Sequence, residues 1–211
     1  MRYAESMSVV PLHRLVPDNK RRDEMINSDI VSRIGHVRLS NIAKAMKGKN
    51  VIDYKITTRH PGGSVIGNAV CVALKGTGIV PDEILDNLKD GDCLVVKSLS
   101  DNHVVLDEIA CYYMNSNKSI SGLLTDGTIP FDLINGFSKN VGVAHSSESS
   151  DAVFVDMIQI GNASICNGDV IVGNEDGVVV IPGETIAEVL NKAEEYEKND
   201  ELKLESIRNR N

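Results

Sequence analysis

The chain lacks the compact signatures of several common chemistries. No GxxxxGK[ST] phosphate loop, no HExxH helix, no GxSxG elbow and no complete GxGxxG after a strand occurs in its 211 residues. The segment Gly62-Gly63-Ser64-Val65-Ile66-Gly67 is too loose for a dinucleotide loop and reads as a turn followed by a bulge. The five histidines (13, 36, 60, 103 and 145) are scattered, and no pair has metal-ligand spacing. No two of the four cysteines form a CxxC, so neither a zinc ribbon nor a thioredoxin-type redox pair is encoded. Cys71, Cys93 and Cys166 lie in or beside apolar segments and read as buried free thiols, which suits a reducing cytoplasm. No apolar run approaches the ~18 residues of a membrane span, and Met1-Arg2-Tyr3-Ala4-Glu5 has no apolar signal core. The expectation is a cytoplasmic protein with no membrane contact. A net charge of −8 argues against a sequence-independent grip on nucleic-acid backbone. Lys20-Arg21-Arg22 is a local basic patch and reads as a solvated face.

What is present is ordinary for a globular chain: 42% hydrophobic and 25% charged residues, enough to build a core without disulfides or metal. The pattern divides into an N-terminal arm over residues 1–22, a single domain over 23–197 and a charged tail over 198–211. Residues 23–48 have helical spacing, with Ile30, Ile34 and Val37 as one stripe. Ser40 is a candidate N-cap and Gly48 a stop. Residues 51–56 read as a strand, and His60-Pro61-Gly62-Gly63 as a turn. Residues 64–74 are nearly all apolar or small and read as a strand pair or one bent strand buried on both faces, with Gly67 marking a bulge or a close backbone contact. Pro81-Asp82-Glu83 opens a short helix, residues 93–96 form a buried strand, and 105–114 are helical in spacing.

Residues 120–132 read as a strand, a polar Thr125-Asp126-Gly127 turn and a helix start, with a short helix through Leu133, Ile134 and Phe137. Residues 141–144 and 152–160 read as further strands, 170–172 and 178–181 as two more, and 184–196 as an amphipathic helix. Asp90-Gly91-Asp92 and Asn167-Gly168-Asp169 echo one another, each a glycine turn before a buried strand; the simpler reading is two similar turns. The order of elements predicts a mixed α/β domain with a compact β core.

Carboxylates carry the candidate chemistry. Asp126 ends a strand, where an Asp-Gly turn accepts backbone N–H groups; alternatively its oxygens hold Mg²⁺. Asp107-Glu108 and Glu175-Asp176 are surface acids or part of a metal shell. His60 reads as a turn residue and His103 as an exposed loop residue.

Four ordered segments carry a resemblance. His60 to Val72 resembles the "PG-x-x-x-x-G-x-A-x-T-V" segment of the RraA-like proteins, a family that includes 4-hydroxy-4-methyl-2-oxoglutarate aldolases, regulators of ribonuclease activity and proteins labelled demethylmenaquinone methyltransferases. Gly91 to Val96 is similar to their "GDVLVV", Gly122 to Gly127 to "GVVVDG", and Asn167 to Pro182 to "PGDxVxxDxDGVVVVP". The set spans about Ser28 to Ala193. The resemblance implies a three-layer β/β/α swivelling domain, a homotrimer or dimer of trimers, and sites at subunit boundaries. It also implies a "DGxxRD" loop whose Arg binds substrate carboxylate and steadies a pyruvate enolate, and whose Asp holds Mg²⁺ or Mn²⁺. A "GELL"-like helix start would supply backbone N–H groups to substrate, which makes Asp107, Glu108 and Ile109 substrate-binding candidates.

The chain departs from that pattern at the chemistry. The Arg position is Pro130 and the metal-binding Asp position is Phe131. Lys97-Ser98-Leu99-Ser100 replaces the glycine-rich approach to the helix, and Asn174 replaces an Asp. The active-site loop retains Asp126 and Gly127, and Asp132 lies one residue past the metal position, so Asp126 or Asp132 would be the metal ligand. Losing one charge-stabilising donor costs about 10²–10³ in rate, and losing the ligand removes the Lewis acid as well. Two readings follow. One is an RraA-like trimeric scaffold, lacking or altered in metal-dependent aldolase and decarboxylase activity, that binds a small 2-oxo acid or a protein partner. The other is an active metal-dependent carbon–carbon lyase that uses Asp132.

Overall fold

One long apolar strand organises the sheet. In the computed structural model, which describes residues 26–209 apart from 54, 59, 118, 131–133 and 144–147, β2 (Val65–Leu74) is a single ten-residue strand, buried but for Ile66 and Ala73. It pairs in parallel with β3 (Asp92–Lys97), and through it with β4 (Gly122–Thr125) and β6 (Gly136–Ser138), all parallel. On its other edge it pairs antiparallel with β11 (Val170–Asn174) and β8 (Ala152–Phe154). β12 (Gly177–Ile181) closes a hairpin on β11, and β1 (Thr57–Thr58) pairs antiparallel with β6 at the far edge. Two small sheets stand apart: β9 (Met157–Ile160) with β10 (Ala163–Cys166), and β5 (Thr128–Ile129) with β7 (Asn140–Val141).

Strand side chains alternate between faces, and the register turns that alternation into two cores. Val70, Val72, Leu94, Val96 and Leu123 face α3 (Asp82–Asp86) and α4 (Glu108–Asn117), packing with Ile84, Leu85, Leu106 and Met114. Ala69, Cys71, Cys93, Val95 and Leu124 face the β9–β10 hairpin, packing with Ile158, Ile160 and Ile165. A third core covers the β11–β12 end, where Val170, Val172, Val179 and Ile181 meet α1 (Ser28–Gly35), α2 (Leu39–Ala45) and α5 (Ile186–Arg208). The result is the expected three-layer β/β/α arrangement of hairpin, main sheet and helices.

Several local expectations are corrected. Residues 134–137 are not helical, since Gly136–Ser138 is a strand. A helix would put Ile134 and Phe137 on one face, whereas they enter cores on opposite sides of the sheet. The turn after Thr125 therefore leads into strand β5 and not a helix. Residues 152–160 are two strands: Phe154 belongs to the helix-side core and Ile158 and Ile160 to the hairpin side, so the chain changes sheets between them. Among the described residues of 51–56, Val51 bridges to Val179 before β1 begins at Thr57. The N-cap of α2 is Arg38, not Ser40. The helix expected from 105 starts at Glu108. Cys166 is exposed, because the outward positions of β10 face away from the hairpin-side core; the other three thiols are buried.

The echo between the two glycine turns has a common construction. Gly91 and Gly168 have φ of +80° and +84°. Asp92 Oδ2 accepts the Lys89 N–H at 2.7 Å, and Asp169 Oδ2 accepts the Cys166 N–H at 2.9 Å. Both turns hold β2, since Asn68 N–H donates to Gly91 O at 3.0 Å and Ala69 N–H donates to Asp169 O at 2.7 Å. Burial pushes the Asp169 carboxyl above the usual carboxylate range.

Gly67 marks the close contact its sequence position suggested. A Cβ there would lie 1.9 Å from Ser121 Oγ and 2.8 Å from Gly91 O. Gly67→Ala is expected to lower stability by about 1–3 kcal/mol, read from urea midpoints. Adding Ser121→Ala should recover only part of the loss, because the Gly91 carbonyl remains; full recovery would mean the hydroxyl was the sole obstruction.

Candidate functional site

Parallel pairing brings the carboxyl ends of β2, β3, β4 and β6 to one edge, the place where α/β sheets hold ligands. Lys97 ends β3, Asp126 follows β4, and Lys139 follows β6. The Lys97 ammonium forms a salt bridge with Asp126 Oδ2, while Asp126 Oδ1 accepts the Ser98 N–H at 2.9 Å. Asp126 is mostly shielded and Lys97 is half-exposed.

A second centre is Asp101. Its carboxylate pairs with Lys139 Nζ at 2.6 Å, and its backbone carbonyl accepts Thr128 Oγ1–H at 2.7 Å and Asn140 Nδ2–H at 2.9 Å. The hydrogen bond to Asp101 holds the Lys139 ammonium above its ordinary range; the fields of Asp101, Asp126 and Asp53 act the same way. Gly127 O accepts the N–H groups of Lys139 and Asn140 at 3.2 and 3.4 Å. The Gly127 backbone lies so close to the 98–103 loop that a Cβ would sit 2.8 Å from both His103 O and Ser98 Cβ.

The residues singled out from sequence divide clearly. Asp126 and Gly127 are at this edge and knit into it. Pro130 is buried just beyond β5. Phe131 and Asp132 lie outside the described residues. Asp107 is buried and caps α4, accepting the Ala110 N–H on Oδ1 at 2.8 Å. Glu108 and Ile109 follow on the exposed first turn, with Ile109 77% exposed. Glu175 accepts the Gly62 N–H at 2.8 Å, tying the His60–Gly63 turn to the β11–β12 hairpin. His103, expected in an exposed loop, is only 9% exposed. Its Nε2 lies 2.8 Å from Gly78 O, so a proton on Nε2 clamps the loop after β3 to the loop after β2. Nδ1 is then buried without a hydrogen-bond partner.

Local sequence pattern does not mark Lys97, Asp101 or Lys139 as site residues. Lys97 had a signal, since it opens the segment that replaces the glycine-rich approach. Asp101 and Lys139 had none, being 38 positions apart in the chain. Burial raises the thiols of Cys71, Cys93 and Cys111, the last to about 12, so none is a ready nucleophile.

The described residues do not fit a divalent cation held at Asp126. One carboxylate oxygen faces an ammonium and the other an N–H donor, whereas a hard cation needs free oxygen ligands. Among the described residues, no group of three or more His, Cys, Asp or Glu side chains could hold a metal ion. No described helix is long and apolar enough to cross a membrane.

Comparison with known proteins places this edge in context. The profile of the family described as RraA-like, Aldolase/RraA, matches residues 37–180. A protein of Halalkalibacterium halodurans, provisionally named 4-hydroxy-4-methyl-2-oxoglutarate aldolase, is 24% identical over 189 residues, covering 85% of this chain and 89% of its own. Among solved structures, an uncharacterized protein from Pseudomonas syringae pv. tomato superposes with a TM-score of 0.74 at 19% identity, covering 87% of this chain and 90% of that one. Streptomyces coelicolor RraAS2, described as an unusual member of the RNase ES inhibitor RraA family, gives 0.70 at 19% identity, with 85% and 98% covered.

The Asp126 contacts predict a graded response. Asp126→Asn removes the charge facing Lys97 but keeps an oxygen for the Ser98 N–H; because Lys97 is half-exposed, the loss should stay within about 1 kcal/mol. Asp126→Ala removes that acceptor too and should cost roughly 1 kcal/mol more. Denaturant midpoints give both values. An equal loss for the two variants would show that the N–H contact contributes nothing.

Proposed function

The chain belongs to the RraA-like, Aldolase/RraA family, and from that premise we propose that it is a homotrimeric scaffold whose divalent-metal aldolase and decarboxylase chemistry is lost or altered. Its work is then binding, with a protein partner favoured over a small 2-oxo acid. The observation that carries this reading is the state of Asp126, whose two oxygens are engaged by the Lys97 ammonium and the Ser98 N–H.

Pro130 adds to it. A buried proline offers neither the positive charge that would hold a substrate carboxylate nor an N–H to replace it. The two effects compound, since an enolate left without both its cationic donor and its Lewis acid loses the electrostatic stabilisation on which such a reaction depends. Binding to protein is supported by apolar side chains left in solvent. Ile109 and Tyr112, three residues apart on one face of α4, are 77% and 73% exposed. The description of RraAS2 as belonging to a ribonuclease-inhibitor family is consistent with that mode of action.

The decisive measurement supplies purified protein with oxaloacetate and Mg²⁺ or Mn²⁺ and follows pyruvate by coupling to lactate dehydrogenase. The expected result is no pyruvate beyond the background of metal alone, with or without chelator. Protein-dependent turnover that a chelator abolishes would overturn the reading, and its loss in Asp132→Ala would assign the metal to Asp132. Light scattering should give three chain masses, or six for paired trimers; a monomer would remove the scaffold's expected assembly.

A further inference from the structure

Helix α5 outruns the domain it packs on. Ile186, Leu190, Ala193, Glu197, Asp200, Leu204 and Ile207 repeat at spacings of four and three and so share one face. The first three are buried in the third core. The next two are clamped: Arg38 Nε donates to Glu197 at 2.8 Å and its Nη2 to Asp200 at 2.9 Å, with Asn41 Nδ2 bridging both carboxylates. One turn upstream, Arg33 grips Glu194 through two nitrogens at 2.7 and 2.9 Å. Leu204 and Ile207 carry the same face onward, yet they are 45% and 56% exposed.

Beside them runs a groove of about 560 Å³ lined by Arg38, Glu197, Glu201, Leu204, Glu205 and Arg208. Glu197, Glu201 and Glu205 stand four residues apart along it, a like-charged ridge that opposes helix formation unless cations meet it. Among the described residues, Glu197 has Arg38, but neither Glu201 nor Glu205 is in an ion pair. Two solvated turns of helix are marginal in water without tertiary packing. The end of α5 therefore presents apolar side chains and unmet carboxylates together, which selects an apolar and basic occupant.

We propose that this groove is the docking site for residues 9–22 of this same chain, from its own copy or a neighbouring one. That segment, which lies outside the described residues, has the matching composition. Val9, Val10, Leu12, Leu15 and Val16 are apolar, and Arg14, Lys20, Arg21 and Arg22 stand against the single acid Asp18 in a chain of net charge −8. Reach does not limit it. The described chain enters α1 at Ser28, and α1 is fixed to α5 through Arg33 and Glu194. Leu204 lies roughly 15 Å along the helix from Glu194 at ~1.5 Å per residue, whereas the residues between Val9 and Ser28 extend to roughly 60 Å at ~3.3 Å each.

The test uses the full chain. Zero-length carbodiimide cross-linking read by mass spectrometry should join Lys20 to Glu201 or Glu205. Mixed light and heavy chains distinguish docking within a copy from docking between copies, and either supports the proposal. Hydrogen exchange of amides 201–208 should quicken on the order of tenfold in Leu12→Asp/Leu15→Asp, and equally in Glu201→Lys/Glu205→Lys, with the thermal midpoint of the core nearly unchanged. Identical exchange in wild type and the arm variant, with no Lys20 cross-link, would overturn the assignment. So would cross-links from Lys203 of one copy to Glu201 or Glu205 of another with arm-independent protection, which would give the face to a second α5.

Discussion

The structure depends on β2 being saturated in every direction. Both of its edges are hydrogen-bonded, to β3 in parallel and to β11 and β8 antiparallel, and both of its faces are covered. A strand in that position leaves its side chains one choice each, because the two-residue period sends neighbours to opposite cores and a slip of one register would exchange them all. Ala69 and Cys71 must fit beneath the β9–β10 hairpin, and Val70 and Val72 must fit beneath α3 and α4. The paired turns at Gly91 and Gly168 brace the same point of β2 from its two flanks, which fixes register where an apolar strand alone would specify it weakly.

From that fixed register follows the edge at which the loops converge. Because β3, β4 and β6 run parallel to β2, their ends must lie side by side, and the loops leaving them must satisfy one another's backbone groups in little space. Carboxylates do much of this work. Asp126 takes an ammonium and an N–H, while Asp101 takes an ammonium on its side chain and two donors on its carbonyl. An edge whose acids are already engaged by donors of its own chain is pre-organised.

The sequence was readable wherever a signal was local. The β11–β12 hairpin, the long strand β2, the short α3 helix and the start of α5 were visible because apolar runs with Gly, Pro or Asp at their ends need no distant partner to make sense. Local pattern misleads where the partner is distant. Ile134 and Phe137 have helical spacing, and only the existence of two cores on opposite sides of the sheet makes them incompatible with a helix. Phe154 and Ile158 alternate as one strand should, and only the separate hairpin breaks them apart. His103 looked exposed because nothing near it in sequence announces Gly78, twenty-five positions earlier. The candidate site shows the same division. Asp126 was found from its own turn, and Pro130 from position in a motif, but the Asp101–Lys139 pair exists only in three dimensions.

That division bears on how a fold of this kind can keep its shape while its chemistry changes. The residues that hold β2, β3 and β4 in register are backbone groups and core side chains, and none of them is Lys97, Asp126 or Pro130 in its side-chain role. Lys97 still pairs through its backbone opposite Ala73 whatever its side chain carries. Pro130 sits beyond the last residue of β5, where no ladder bond asks for its missing N–H. Substitution of such side chains leaves the strand ladders intact. For this chain, the side chains at the carboxyl edge carry the local detail, and there the Lys97 ammonium faces Asp126.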